Sequence, residues 1–307
     1  MTDIVHEDPV HEDPVHEDPV HENQAAALLQ VLALEEREPD VFVGRTPATP
    51  AQRIFGGQVA GQALMAAAMT VPAERGVHSL HSYFLRPGDP DEEIRYAVDR
   101  VRDGRSFTTR RVVAWQRRRG EEVAIFTLMA DFTAGEAALA EHALPMPDVP
   151  LPDELPGIPE MAARHPERSG FMQVMGRAVD QRFLDDPFVP GPKSPPHTER
   201  CTWMRVTGRL PDDPNVHAAA LTFASDLTLL SAGVARLGTG WGGFVGASLD
   251  HAVWFHRPVR ADEWFLYEID SPSAAAGRAL CVGQIWAVDG THVATVVQEG
   301  LIRSVPE

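Results

Sequence analysis

Lysine is all but missing from this 307-residue chain: Lys193 stands alone beside 26 arginines. A lone lysine leaves no Walker-type phosphate loop elsewhere and removes most Schiff-base chemistry. Cysteine is nearly as scarce. Cys201 and Cys281 cannot by themselves build a metal cluster, and two buried free thiols in a reducing compartment fit better than one disulfide. No run of 18 apolar residues occurs, so no membrane span is expected. Basic character is absent too. The formal net charge is −17, with no basic face interleaved with aromatics, which argues against nucleic acid. Part of that charge is local: residues 1–22 hold eight acidic groups and no Lys or Arg, leaving about −9 for the rest. An acidic N-terminus is unlike a signal or transit peptide. The final Ser304-Val305-Pro306-Glu307 is no peroxisomal address, so a cytoplasmic location is the expectation.

What is present is a structural phrase written twice. Phe55-Gly56-Gly57-Gln58 opens an alanine-rich apolar stretch, followed by His81-Ser82-Tyr83-Phe84-Leu85-Arg86-Pro87 and a run ending near Phe132. Phe223-Ala224-Ser225-Asp226 opens a similar stretch, followed by His251 to Pro258 and a run ending near Leu301. Gln58 and Asp226 are 168 residues apart, and Arg86 and Arg257 are 171 apart. A repeat this long is a duplicated domain, because solenoid units are far shorter.

Four segments follow from composition. Residues 1–23, built on Val-His-Glu-Asp-Pro repeats, read as a disordered acidic tail, since proline every fifth residue and dense charge prevent packing. Residues 24–135 form the first unit, 136–172 a Pro-rich connector and 173–307 the second unit. In the first, helical spacing runs from Ala25 to Leu34. Residues 56–70 read as a helix apolar around most of its circumference, hence buried on most sides. Strands are expected at 77–86, 92–102, 106–116 and 122–133, with turns at Asp103-Gly104 and Arg119-Gly120. In the second unit the expectation is a strand at 174–184, another at 200–208 and a helix at 216–236. Four more strands follow, near 246–256, 263–271, 278–288 and 291–303. The fold class is α+β, each unit a long buried helix wrapped by antiparallel strands.

The copies differ in one residue that matters chemically, Gln58 against Asp226. A carboxylate within an otherwise apolar helix is costly unless it is hydrogen-bonded, paired or facing water. A solvated helix edge or a cap would explain Asp226 equally well, but the buried first-copy helix tips the balance toward a site. Gln298, near the end of the last strand, offers a donor and an acceptor that could hold a water or a carbonyl oxygen. Ser248 opens a strand after a glycine-rich loop and could orient water or act as a nucleophile. Sharper motifs fail. Gly238 to Gly243 matches GxGxxG but follows a helix and precedes a strand, the wrong context for a dinucleotide. No GxSxG elbow exists. His78 and His81 are three apart on a strand and point to opposite faces, so they make a poor metal pair.

The segments Arg53 to Leu64, His78 to Asp89 and Arg102 to Phe107 resemble the acyl-CoA thioesterase II family. So do Ala224 to Leu227, Asp250 to Pro258 and Val297 to Gly300, with order and spacing kept from about residue 24 to the C-terminus. The resemblance implies a double hotdog fold and hydrolysis of fatty acyl-CoA to free fatty acid and coenzyme A, without metal or cofactor. It also implies that Asp226, Ser248 and Gln298 activate the attacking water, with Ser248 where the best-known members carry Thr. Substrate contacts are expected at Gly56, Gly57 and Gln58, whose amides could hold the thioester carbonyl at a helix N-terminus, and at His78 and Arg105. Arg102, Arg110 and Arg111 are further candidates for coenzyme A, and Met65 and Met69 for the acyl chain. An enoyl-CoA hydratase using His78 or His81, and a non-catalytic acyl-CoA-binding protein, are the rival readings. Free sheet edges and faces lead us to expect a homodimer or homotetramer.

Overall fold

A computed structural model describes residues 27–47, 52–136, 139–189, 200–238 and 244–304. The acidic tail, Lys193 and residues 239–243 of the glycine-rich loop lie outside the described residues, as does the start of the first expected helix, which is helical over 27–32. The first unit contains β1 (Glu35–Glu38), β2 (Val41–Gly44), α1 (Gly56–Ala68), β3 (Gly76–Phe84), β4 (Ile94–Asp103), β5 (Phe107–Arg118) and β6 (Glu121–Thr133). The connector carries α2 (Ile158–Arg164), and α3 (Gly170–Met175) straddles its expected end. The second unit follows with β7 (Val179–Phe183), β8 (Arg200–Val206), α4 (Pro214–Ser225), α5 (Leu230–Arg236), β9 (Phe244–Ser248) and β10 (Asp250–Phe255). It ends with β11 (Phe265–Ala275), β12 (Arg278–Ala287) and β13 (His292–Ser304).

All the strands join one antiparallel sheet in the order β1-β2-β4-β5-β6-β3-β10-β13-β12-β11-β8-β7, with β9 on β13. The expected double hotdog is therefore present, and β3 paired with β10 is its seam. His81 lies opposite Ala252, at the same 171-residue offset that separates Arg86 from Arg257. Those two residues consequently sit on a local two-fold axis that relates the units. Arg119 (φ 51°) and Gly120 (φ 87°) both adopt positive φ in the β5–β6 hairpin, as a type I′ turn requires.

Helix α1 is buried on nearly every side, from Gly57 to Ala67, and packs on β5 and β6; α5 packs likewise on β11 and β12. Helix α4 lies against α1. A Cβ on Gly57 would stand 2.5 Å from the Phe223 carbonyl oxygen, and one on Gly61 3.1 Å from that of Ala219. Glycines four residues apart thus let two backbones approach closely, the geometry of ridge-into-groove packing at its shortest range. The stretch Pro214–Arg236 is long and apolar enough to cross a membrane by length and composition, yet 89% of its apolar window is buried inside the fold. It is a core element here.

The single helix expected over 216–236 is not found. The chain turns at 226–229, where Leu227 N–H reaches Ala224 O (3.1 Å) and Ser231 N–H reaches Thr228 O (2.9 Å), bonds of 3₁₀ type. The reason is local competition: Ser225 Oγ bonds back to Thr222 O (3.0 Å) and Asp226 accepts from Ser248 (3.0 Å), which loosens the regular ladder. Asp226 is therefore the C-terminal cap of α4, not a mid-helix residue. The strand expected near 246–256 is likewise two strands bent at Leu249, and the strand expected from 174 begins at Val179. The connector packs over the outer face of the second unit, with Trp203 Nε1 donating to Pro150 O (2.9 Å) and Trp286 Nε1 to Leu144 O (3.1 Å).

Candidate active site

A fork in the seam makes the site. Register between β3 and β10 runs as far as Tyr83 opposite Asp250, after which Phe84 N–H binds Leu249 O (2.9 Å). Beyond Leu249, β9 follows β13 and leaves the first unit, with Ser248 opposite Gly300. The gap opens a cavity of about 910 Å³ between the units. Phe55, Phe84, Ile125, Phe126, Leu227, Leu230 and Phe244 supply its apolar walls, and Gly56, Asp226 and Ser248 lie on its surface.

Asp226 and Ser248 meet there with Gln298, although 22 and 50 residues separate Ser248 from its two partners. Ser248 Oγ donates to Asp226 Oδ1 (3.0 Å), and Gln298 Nε2 donates to Ser248 Oγ (2.8 Å). Gln298 is fully buried, while Asp226 and Ser248 are half-buried. Burial pushes the Asp226 carboxyl above its ordinary pKa. The nearby His251, the hydroxyl of Ser248, the Gly57 backbone and Gln298 pull it down without prevailing. Gly56 cannot carry a side chain here: its Cβ would stand 2.7 Å from Asp226 Oδ2 and 2.9 Å from the Phe84 ring. The N-terminal end of α1, the positive end of its dipole, consequently faces the carboxylate, with the Gly57 backbone bonded to it.

Other expected contacts fall elsewhere. Gln58 is buried, and its Nε2 donates to Thr46 Oγ1 (2.9 Å) away from the cavity lining. His78 sits beside Asp131 (3.2 Å) and the Phe107 ring, and Arg105 is exposed at the β4–β5 turn; neither lines the cavity. Arg110 is buried against Asp103 (2.6 Å) and Arg111 pairs with Asp99 (2.5 Å), so strand pairing has consumed both. Met65 and Met69 are also off the cavity, because α1 turns them toward other surfaces. The arginines on the cavity wall are Arg53, Arg86 and Arg168. Among the described residues none of the three is within ion-pair range of a carboxylate, whereas most arginines on the strands are paired. The sequence signal for Arg53 and Arg86 was their place beside the Phe-Gly-Gly-Gln and Phe-Leu-Arg-Pro phrases. Ile54 N–H binds Gly88 O (3.1 Å), tying these two loops into one rim.

Two hotdog units in one chain, with one polar cluster at their seam, define a double-hotdog protein with a single armed half. Comparison with known proteins narrows this. The acyl-CoA thioesterase N-terminal domain profile matches residues 45–133, and the corresponding C-terminal domain profile matches residues 152–302. Human acyl-coenzyme A thioesterase 8 is 38% identical over 289 residues, covering 90% of this chain and 89% of that one. Acyl-CoA thioesterase 2 of Haemophilus influenzae is 35% identical, over 90% of this chain and 96% of its own length. The crystal structure of the acyl-CoA thioesterase II TesB2 from Mycobacterium marinum superposes with a TM-score of 0.74 at 42% identity, covering 90% of this chain and 98% of that one. The chain belongs to the acyl-CoA thioesterase II family.

Proposed function

We propose that this enzyme hydrolyses fatty acyl-CoA thioesters with a water activated by Asp226, Ser248 and Gln298. The observation that carries the reading is the hydrogen-bonded line from Gln298 through Ser248 to Asp226, ending on the wall of a large, mainly apolar cavity. A raised carboxyl pKa fits a general base, whose proton affinity must be high enough to take a proton from water. Asp226 takes one proton from the water as its oxygen bonds to the thioester carbonyl carbon. The carbonyl oxygen becomes an oxyanion, whose charge the positive dipole end of α1, facing Asp226, would favour. Collapse breaks the C–S bond, and the departing coenzyme A thiolate takes up a proton to leave as thiol beside the fatty acid.

The apolar walls suit the acyl chain. Arg53, Arg86 and Arg168 suit the phosphates of coenzyme A, and their lack of carboxylate partners in so acidic a protein supports that role. No histidine lines the cavity among the described residues, which disfavours the hydratase reading. The direct contact of Ser248 Oγ with Asp226 (3.0 Å) does favour one second reading, a serine nucleophile with Asp226 as its base. Release of thiol from palmitoyl-CoA by the wild type and its loss in Asp226→Asn test the first reading. Unchanged release in that variant refutes it. An acyl adduct on Ser248 in a mass spectrum of the quenched enzyme marks the nucleophile route, and its absence marks the water route.

A further inference from the structure

Behind the cavity wall, and out of its reach, lies His251. It is fully buried on β10, and both ring nitrogens are engaged: Nδ1 is 2.6 Å from Gln298 Oε1 and Nε2 is 2.9 Å from Ser225 Oγ. Its own backbone is held by the first unit, since Ser82 Oγ donates to His251 O (2.7 Å) across the seam. Ser225 directly precedes Asp226, so the polar line Ser225–His251–Gln298–Ser248–Asp226 closes into a ring.

From Asp226 through Ser248 and Gln298 to His251 Nδ1, donors and acceptors are not free to choose. An ionised Asp226 only accepts, so the single Ser248 proton goes to it. Ser248 must then accept from Gln298, which commits the NH₂ end of that amide. The Gln298 oxygen is left facing His251, so Nδ1 must carry a proton. Ser225 Oγ stands 2.9 Å from Nε2 and 3.0 Å from Thr222 O, so its one proton can serve either, and the Nδ1 assignment rests on the Gln298 side of the ring. A buried carboxamide free to flip would present its oxygen to Ser248 half the time and unseat the hydroxyl from Asp226.

We infer that His251 is a positioning residue for the hydrolysis: as the Nδ1–H tautomer it locks the Gln298 amide in the orientation that aims Ser248 at Asp226. It acts through Gln298 and touches neither substrate nor water. The inference rests on the functional reading above, but its central statement, the tautomer, is independent of activity. The first unit makes the point by contrast. His251 lies opposite Ser82, and its two-fold counterpart opposite Val253 is Leu80, an apolar residue at the equivalent strand position.

Two experiments on the full chain test it. Nitrogen-15 NMR of the histidine-labelled wild type at pH 8 should show His251 protonated at Nδ1, with its signals assigned by their absence from His251→Asn. A bare Nδ1 overturns the inference whatever the enzyme hydrolyses. In steady-state assays with palmitoyl-CoA, His251→Leu should lower kcat by about 10²-fold, as small misplacements of reacting groups do, with KM changed less than about twofold. His251→Asn, whose amide nitrogen stands where Nδ1 did, should recover most of that loss. A leucine variant with wild-type kcat, or equal losses in both variants, overturns it. Absence of thiol release in the wild type would instead fail the functional reading and leave the tautomer result standing.

Discussion

The two halves of this enzyme share one scaffold and differ in what they place at equivalent points. Register supplies the correspondence. His81 opposes Met129 as Ala252 opposes Val297, and Val77 opposes Phe132 as Ser248 opposes Gly300. Asp226, Ser248, His251 and Gln298 therefore stand where the first half has Gln58, Val77, Leu80 and Ala130. None of those four first-half residues is ionisable, and three have no side-chain hydrogen bond to offer. The fork that opens beside Ser248 is closed at the matching place, where Val77 N–H donates to Asn215 Oδ1 (3.2 Å). Duplication has let one half keep the packing while the other accepted a buried carboxylate and an open cavity. The first half still takes part, because Gly56 and Gly57 bring the α1 terminus up to Asp226.

The largest break in that comparison is Asp226→Asn, which makes the second half as neutral as the first. Thiol release should fall by about 10²–10⁴-fold, the usual weight of a general base. Stability should move the other way. A carboxyl whose folded pKa is raised contributes stability below its unfolded pKa and loses it as pH rises through the folded value. At pH 8 the wild type carries that cost and the variant does not, so the variant should melt higher. The gap should close as pH falls toward about 4, where the unfolded carboxyl also protonates. Thermal melts across pH check the sign.

Gln298→Ala copies Ala130 of the first half. It leaves Ser248 and His251 short of a partner, so activity should fall by about 10²-fold and stability by about 1–3 kcal/mol. Kinetics and denaturant titration read the two effects. Gly57→Ala tests the contribution of the first half. Helix propensity alone favours alanine by about 1 kcal/mol, but its Cβ would sit 2.5 Å from the Phe223 carbonyl. A net loss of about 1–3 kcal/mol is expected from overpacking, and a gain would mean that α1 and α4 separate easily. The pH profile of kcat/KM should show an acid limb displaced above the free aspartate range, in line with the raised Asp226 pKa. Smallest of all, Ser248→Thr keeps the hydroxyl and should stay within a few-fold of wild-type kcat, whereas Ser248→Ala should not.

Much of this was legible in residue order. The apolar circumference of α1, the paired Phe-Gly-Gly-Gln and Phe-Ala-Ser-Asp phrases and the strand runs pointed to two wrapped helices, and the structure has them. Asp226, Ser248 and Gln298 were singled out by type and setting, and they do come together in space. Other features were hidden. Strands β1 and β2 are four residues each, too short to show a period. The break at Asp226 was masked because the residues on both sides are good helix formers. Arg102, Arg105, Arg110 and Arg111 looked like a basic cluster, but Asp99 and Asp103 neutralise two of them across the hairpin. Nothing in residue order marks His251, because its partners Ser225 and Gln298 come from other elements.

By itself the sequence determined the duplication, the class of each element and which half carries ionisable chemistry, because these depend on periodicity and on residue type. Tertiary structure alone decided the rest. Whether β9 stays with β3 or leaves it depends on pairing between segments some 170 residues apart. That divergence creates the cavity, selects Arg53, Arg86 and Arg168 as its rim, and exposes Asp226 while sealing His251 behind Gln298. The direction of the hydrogen bonds from Asp226 to His251 Nδ1 follows from who stands next to whom, which only the folded chain defines.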